Sequence, residues 1–197
     1  MKGEKNMLMI AMTSTISSMS QMEKIESCIL DINQKDGHDA LEQLYFLTKD
    51  IVYGYALSLL KNTYDAEDIL RDCFISIYQS AYGYVSKGKP MAWIFTIVRN
   101  LCLSKLRARS RFSDIPEEDW DKYLQTNDHV SYQNKIILEH CMRDLTDDER
   151  EILLLHALSG LKHREIAKLT NRPLSTILSK YNRALKKMRL TLKEEDR

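Results

Sequence analysis

Apolar residues recur at steps of three and four along most of the chain, the spacing that gives a helix one water-shunning face. The pattern predicts a first helix from Gln21 to Gln34, with Ile25, Ile29 and Ile32 (or Cys28) on one face and Gly37 as its stop. A longer helix follows from about His38 to Lys61, with Leu41, Leu44, Tyr45, Thr48, Ile51, Val52, Tyr55 and Leu59 at core spacing. Beyond Asn62, the acids Asp65, Glu67 and Asp68 suit the positive end of a third helix, which continues through Ile69, Leu70, Cys73, Phe74, Ile77, Tyr78 and Ala81. Pro90 stands at the start of a fourth. Its core face reads Ile94, Ile97, Val98, Leu101 and the stem of Lys105, leaving Trp93, Arg99, Asn100, Arg107, Arg109 and Arg111 as an aromatic and basic exterior.

The second half repeats the pattern in shorter segments. A helix is expected over 131–144, with Ile136, Ile137, Leu138 and Met142 along one side. Thr146 and Glu149 form a capping box for a helix running through Leu158, which Ser159-Gly160 ends. A short amphipathic segment, His163 to Thr170, then breaks at Asn171-Arg172-Pro173, and another helix starts behind it. Two helices joined by so tight a turn read as a helix-turn-helix. In the second of them Leu174, Ile177, Tyr181, Ala184, Leu185 and Met188 share a face; Ser175, Thr176, Ser179, Lys180, Asn182, Arg183, Lys186, Lys187 and Arg189 occupy the other.

With only 6 Gly and 3 Pro in 197 residues, long helices are easy and β-turns are scarce. The fold class expected is all-α: two small helical domains joined by an acidic flexible linker, the second containing the helix-turn-helix. The divisions fall at 1–21, an aperiodic Met-, Ser- and Thr-rich arm read as disordered; 22–111, the first domain; 112–130, an acidic tether with Pro116; and 131–193, the second domain. A formal net charge of +1 hides a sharp asymmetry, because 112–150 is rich in Asp and Glu whereas 99–111 and 162–193 are basic. From Lys162 to Lys193 the only acid is Glu165, an electrostatic footprint suited to a phosphate backbone. The segment Tyr82 to Pro90 mixes aromatic residues, glycines and lysines, which suits splayed single-stranded bases that stack on rings while lysines hold the backbone. It is equally an ordinary connection between helices.

No constellation supports an enzyme. Cys28, Cys73, Cys102 and Cys141 are far apart and lie in apolar patterns, as free thiols of a reducing compartment do. No metal and no cofactor is expected. No apolar run approaches a membrane span, so the chain reads as soluble and cytoplasmic.

The segment DAEDILRDCFISIYQS, a short loop, and AWIFTIVRNLCLSKLR strongly resemble the second conserved region of extracytoplasmic-function sigma factors. LTDDEREILLLHALSGLKHREIAKLTNRPLSTILSKYNRALKKMR resembles their fourth. Departures are visible: Arg71-Asp72 stands where Gln-Glu is usual, Ser104 where an Asp is common, Leu178 and Lys180 where Lys and Arg are usual, and Asn171 where a turn Gly is frequent. The resemblance implies an alternative sigma factor that binds core RNA polymerase, directs it to promoters and assists melting. Asp65, Asp68, Arg71 and Asp72 would then contact core polymerase. Tyr82, Tyr84, Lys87, Lys89, Trp93, Arg99, Asn100 and Arg107 would face the minus-ten element. Arg164, Arg172, Ser175, Thr176, Ser179, Lys180, Arg183 and Lys187 would face the minus-thirty-five element, with Ser175, Thr176, Ser179, Lys180 and Arg183 toward bases and Arg164, Arg172, Lys186 and Lys187 toward phosphates. The partners implied are core RNA polymerase, promoter DNA and an anti-sigma factor, with no small-molecule substrate. The competing readings are a conventional helix-turn-helix regulator and a sigma-like decoy that occupies polymerase.

Overall fold

The computed structural model describes residues 21–34, 37–109 and 144–195, with side chains to 190. The expected N-terminal arm, the acidic linker, the helix over 131–144, and the residues Arg111 and Cys141 lie outside the described residues. What is described is helical, with no strand. The helices are α1 (21–31), α2 (Gly37–Leu60), α3 (Thr63–Ser80), α4 (Pro90–Arg109), α5 (Asp147–Ser159), α6 (His163–Thr170) and α7 (Leu174–Glu195), with a 3-10 turn at Ala81–Gly83.

The local rules account for most boundaries. Asn62 caps α3 by accepting the amide of Asp65 at 2.9 Å. At α5 the Thr146 hydroxyl accepts from the Glu149 amide while the Glu149 carboxylate accepts from the Thr146 amide, the predicted capping box. Gly160 ends α5 at φ 66°, in the left-handed region that costs glycine little. Asn171 takes φ 53° between α6 and α7, which a short polar side chain tolerates better than most.

Gly37 behaves differently from the expectation. It does not stop α1; it is the first, buried residue of α2. A Cβ there would fall 2.1 Å from the carbonyl oxygen of Ile32. The corner between α1 and α2 therefore needs glycine for a close backbone approach rather than for a left-handed turn.

Helices α1 to α4 bury Ile25, Ile29, Leu44, Val52, Tyr55, Ile69, Ile77, Ile94, Phe95 and Val98 in one core. Tyr55 and Phe95 meet edge to face at 4.7 Å. Two residues expected in the core, Tyr45 and Tyr78, are 37% and 45% exposed. Each lies at the edge of its helix's apolar stripe, where one ring face packs and the other meets water. Cys28, Cys73 and Cys102 are free and buried, and burial pushes the Cys73 and Cys102 thiols up to about 12, which leaves them unreactive.

The second half does not stand apart. Helix α5 packs against both α2 and α4, so that Ile152 and Leu155 join the same core, with Leu161, Ile166 and Ile177 behind them. Helix α7 closes on α5 through a smaller cluster of Leu145, Leu153 and Ala184. This packing changes the place of Arg99. Expected on the exterior of α4, it is buried, because α5 covers that side of the helix and supplies its partner, Glu151.

Candidate nucleic-acid interface

The connection from α3 to α4 is an ordered platform. Tyr84 donates its hydroxyl to Glu26 of α1 at 2.8 Å, and Ser86 donates to the same carboxylate oxygen at 2.7 Å. These bonds, Ser86 first and Tyr84 second, hold the Glu26 carboxyl below its usual range. Burial, reinforced by Glu26, raises the Tyr84 phenol well above its usual value. The Tyr84 ring lies 4.9 Å from that of Trp93, at the head of α4. Tyr82 points away from the protein, 88% exposed, and Gly88 turns the chain at φ 64°. Gly83, Tyr84, Val85, Lys87, Lys89, Ala92, Trp93 and Thr96 line a crevice of about 520 Å³, whose remaining wall is Leu161, Glu165 and Leu169. An exposed ring, a ring pair and lysines around an open crevice are the elements that hold unstacked bases. Farther along α4, Asn100 and Arg107 are exposed.

Helix α3 presents a different surface. Asp65, Asp68 and Arg71, expected to contact core polymerase, are knitted together. Lys105 of α4 bridges Asp65 at 3.0 Å and Asp68 at 3.1 Å, Arg109 reaches Asp65 at 3.7 Å, and Arg71 pairs with Asp68. The Lys105 bond, then that of Arg71, holds the Asp68 carboxyl below its usual range. Lys105 thus ends in an ion-pair brace between α3 and α4, with only its stem along the core. What α3 leaves open is a stripe at helical spacing, Arg71, Ile75, Tyr78 and Tyr82, with Asp72 beside it.

In the helix-turn-helix, Ile177 and Ala184 anchor α7 while Ser175, Ser179 and Arg183 face outward and Thr176 is half-buried. Arg183 folds back along the helix to Ser179, donating to its carbonyl and hydroxyl at 3.4 Å. Arg164 and Lys186 are exposed. The other cations expected to meet DNA are engaged by acids of α5. Asp148 receives Arg172 at 2.7 Å and Lys180 at 2.5 Å; Glu149 receives Lys187 at 2.8 Å. Lys180, with Arg172, holds the Asp148 carboxyl below its usual range. Burial works to raise the Glu149 carboxyl, but Lys187 and the Thr146 amide outweigh it and hold it low.

Sequence reasoning named the cations and missed these acids. Glu26 lies 58 residues from Tyr84, and Asp148 lies 24 and 32 residues from the cations it holds. No local pattern signals such pairings.

Comparison with known proteins finds matches over both halves of the chain. The family model for Sigma-70 region 2 matches residues 44–112, and that for Sigma-70, region 4 matches 135–188. The chain is 27% identical over 150 residues to the ECF RNA polymerase sigma factor SigK of Mycobacterium sp. (strain KMS), covering 72% of this chain and 77% of that protein. With SigK of Mycobacterium tuberculosis (strain CDC 1551 / Oshkosh) the identity is 24% over 162 residues, covering 78% and 87%. Among solved structures, the sigma factor RpoE in complex with the anti-sigma factor NepR from Bartonella quintana superposes with a TM-score of 0.60 at 24% identity, covering 77% of this chain and 96% of that one. Among the described residues no helix is long and apolar enough to cross a membrane, and no cluster of three His, Cys, Asp or Glu could hold a metal.

Proposed function

We infer how the work is divided within a chain that belongs to the extracytoplasmic-function family of alternative sigma factors. The protein directs RNA polymerase to promoters and is not an enzyme. In our reading, the exposed stripe of α3, from Arg71 through Ile75 and Tyr78, with Asp72 beside it, docks on core RNA polymerase. Asp65 and Asp68 act behind it by bracing α3 to α4. A half-apolar stripe flanked by charges is the composition expected of a protein interface, since isolated charges gain little there and apolar area gains more.

The platform of Tyr82, Tyr84, Lys87, Lys89 and Trp93 receives an unstacked base of the minus-ten strand, and Asn100 and Arg107 hold nearby backbone. Helix α7 enters the major groove of the minus-thirty-five element with Ser175, Thr176, Ser179 and Arg183 toward bases, while Arg164 and Lys186 meet phosphates. The single observation that carries this reading is the crevice beside Trp93, which joins aromatic rings and lysines on a loop hydrogen-bonded to Glu26 of α1. Strand separation then draws on base capture and on contacts shared with polymerase, with no bond made or broken. The protein works in the cytoplasm, where polymerase is, and an anti-sigma factor covering one of these surfaces would silence it.

Run-off transcription from a pool of genomic fragments, by core polymerase with and without the protein, tests the reading. New transcripts sharing upstream motifs are expected, and Tyr82→Ala should reduce open-complex formation while leaving co-elution with core intact. Transcripts unchanged by Tyr82→Ala would remove the loop from its assigned role. Failure to co-elute with core would remove α3 from its own.

A further inference from the structure

The face that α7 turns to solvent is not wholly polar. Between Leu174 and Arg183 the exposed residues are Ser175, Leu178, Ser179, Asn182 and Arg183. Their spacing, i, i+3, i+4, i+7 and i+8, is that of one continuous stripe along a helix. It lies opposite Ile177 and Ala184, both fully buried. Within the stripe Leu178 is 40% exposed, an apolar side chain among polar ones. The Asn182 amide makes no hydrogen bond among the described residues. Their neighbours are engaged: Lys180 is half-buried on Asp148, and Arg183 bends back along the helix to Ser179.

We propose that Leu178 and Asn182 determine base preference in the minus-thirty-five element by reading two neighbouring A·T pairs, Leu178 against a thymine methyl and Asn182 on an adenine edge. The inference rests on the assignment of α7 to the major groove. Leu178 can hydrogen-bond neither a base nor a phosphate, so it gains in the groove only by shedding water against another apolar surface. Of the four base edges in the major groove, thymine alone presents one, its C5 methyl. The Asn182 amide donates and accepts at once. Adenine answers both through N7 and its N6 amino group, whereas guanine offers two acceptors and leaves the amide oxygen facing one of them. One helical turn separates the two side chains by about 6 Å along the axis, close to two base steps at a rise of about 3.4 Å. Both therefore engage nearby pairs in a single docking. Leucine at 178 is also one of the departures from the family pattern, which makes the thymine preference a property of this chain.

The test uses holoenzyme, core polymerase with the full chain, and duplex promoter fragments recovered by run-off transcription, their minus-thirty-five region randomised. Fragments bound by wild type and by Leu178→Ser, Asn182→Ala and Arg183→Ala are sequenced; all three positions are exposed, and co-elution with core checks that each variant folds. Wild type should enrich A·T pairs at two positions about two steps apart. Asn182→Ala should relax one of them about fivefold or more, and Leu178→Ser the other. Deoxyuridine in place of thymidine removes the methyl alone. At the position that Leu178→Ser relaxes, it should weaken wild-type binding about fourfold and leave Leu178→Ser unmoved. Wild-type binding indifferent to deoxyuridine at every enriched thymine would overturn the role of Leu178, and an Asn182→Ala selection identical to wild type would overturn that of Asn182. If only Arg183→Ala alters the selection, the inference falls and α7 keeps its place in the groove. If none of the three alters it, the assignment of α7 to bases falls as well.

Discussion

Tyr55 offers a substitution whose expected effect runs against intuition. The residue is 1% exposed, its ring packs on Phe95, and its hydroxyl is buried with no hydrogen-bond partner. Burial, with the nearby Glu151 charge, raises its phenol well above the usual value. An unpartnered buried hydroxyl costs about 1–3 kcal/mol relative to a satisfied one. Replacing it with Phe removes that cost and leaves a gap smaller than a methyl group, worth less than about 1 kcal/mol. Tyr55→Phe should therefore stabilise the protein by about 1 kcal/mol, a rise in Tm of about 2–4 °C for a chain of this size. Because Arg99 and Glu151 are the charged groups acting on this hydroxyl, the gain belongs to the arrangement in which α5 covers α2. Thermal unfolding followed by circular dichroism checks it. A Tm lowered by several degrees would refute the reasoning, for it would mean that the hydroxyl has a partner worth keeping.

Three further outcomes can be measured. His163 stacks on His156 at 4.5 Å and meets Tyr181 edge to face at 4.5 Å, its Nε2 is buried without a partner, and burial, then His156, lowers its pKa. The unfolded chain thus takes the proton first, so stability is complete above about pH 6.5 and declines as pH falls below it; His163→Phe should flatten the acid limb of a pH series of urea melts, and an unchanged slope would count against this. Asp148→Asn should release Lys180 and leave Arg172 with Glu151 alone, tightening holoenzyme binding to duplex promoter roughly twofold or more, and gel-shift titrations that show no gain would argue otherwise. Gly37→Ala must move the α1–α2 corner, since its Cβ would meet Ile32 at 2.1 Å; a Tm within a degree of wild type would show that the corner yields easily.

The helices and their caps were legible in the sequence because they rest on neighbours three or four residues away. Thr146 with Glu149, Pro90 at the head of α4 and the turn at Asn171 all stand where local chemistry puts them. The candidate site was legible as a list of cations and rings but not as a network. Arg99 sits on α4 between apolar neighbours, and a helical wheel drawn for the first domain alone sends it outward. Its burial depends on Glu151, 52 residues away in a different segment. Gly37 was misread for a related reason: a glycine after a helix usually caps it, and only the path of the next helix reveals that the missing side chain is the point. Tyr45 and Tyr78 kept the right spacing, but spacing alone does not set how wide a stripe the neighbouring helix covers.

The pairing of Asp148 with both Arg172 and Lys180 bears on how such a protein could acquire new target sequences. If α7 reads bases as proposed, a single substitution at Lys180 would leave the Asp148 carboxylate with Arg172 as its partner and less well neutralised beside incoming DNA. Retargeting therefore moves by coupled steps, with position 148 changing alongside position 180. A library that randomises α7 while holding Asp148 fixed will recover mostly basic residues at 180, whereas one that frees both positions opens a wider set of promoters to selection.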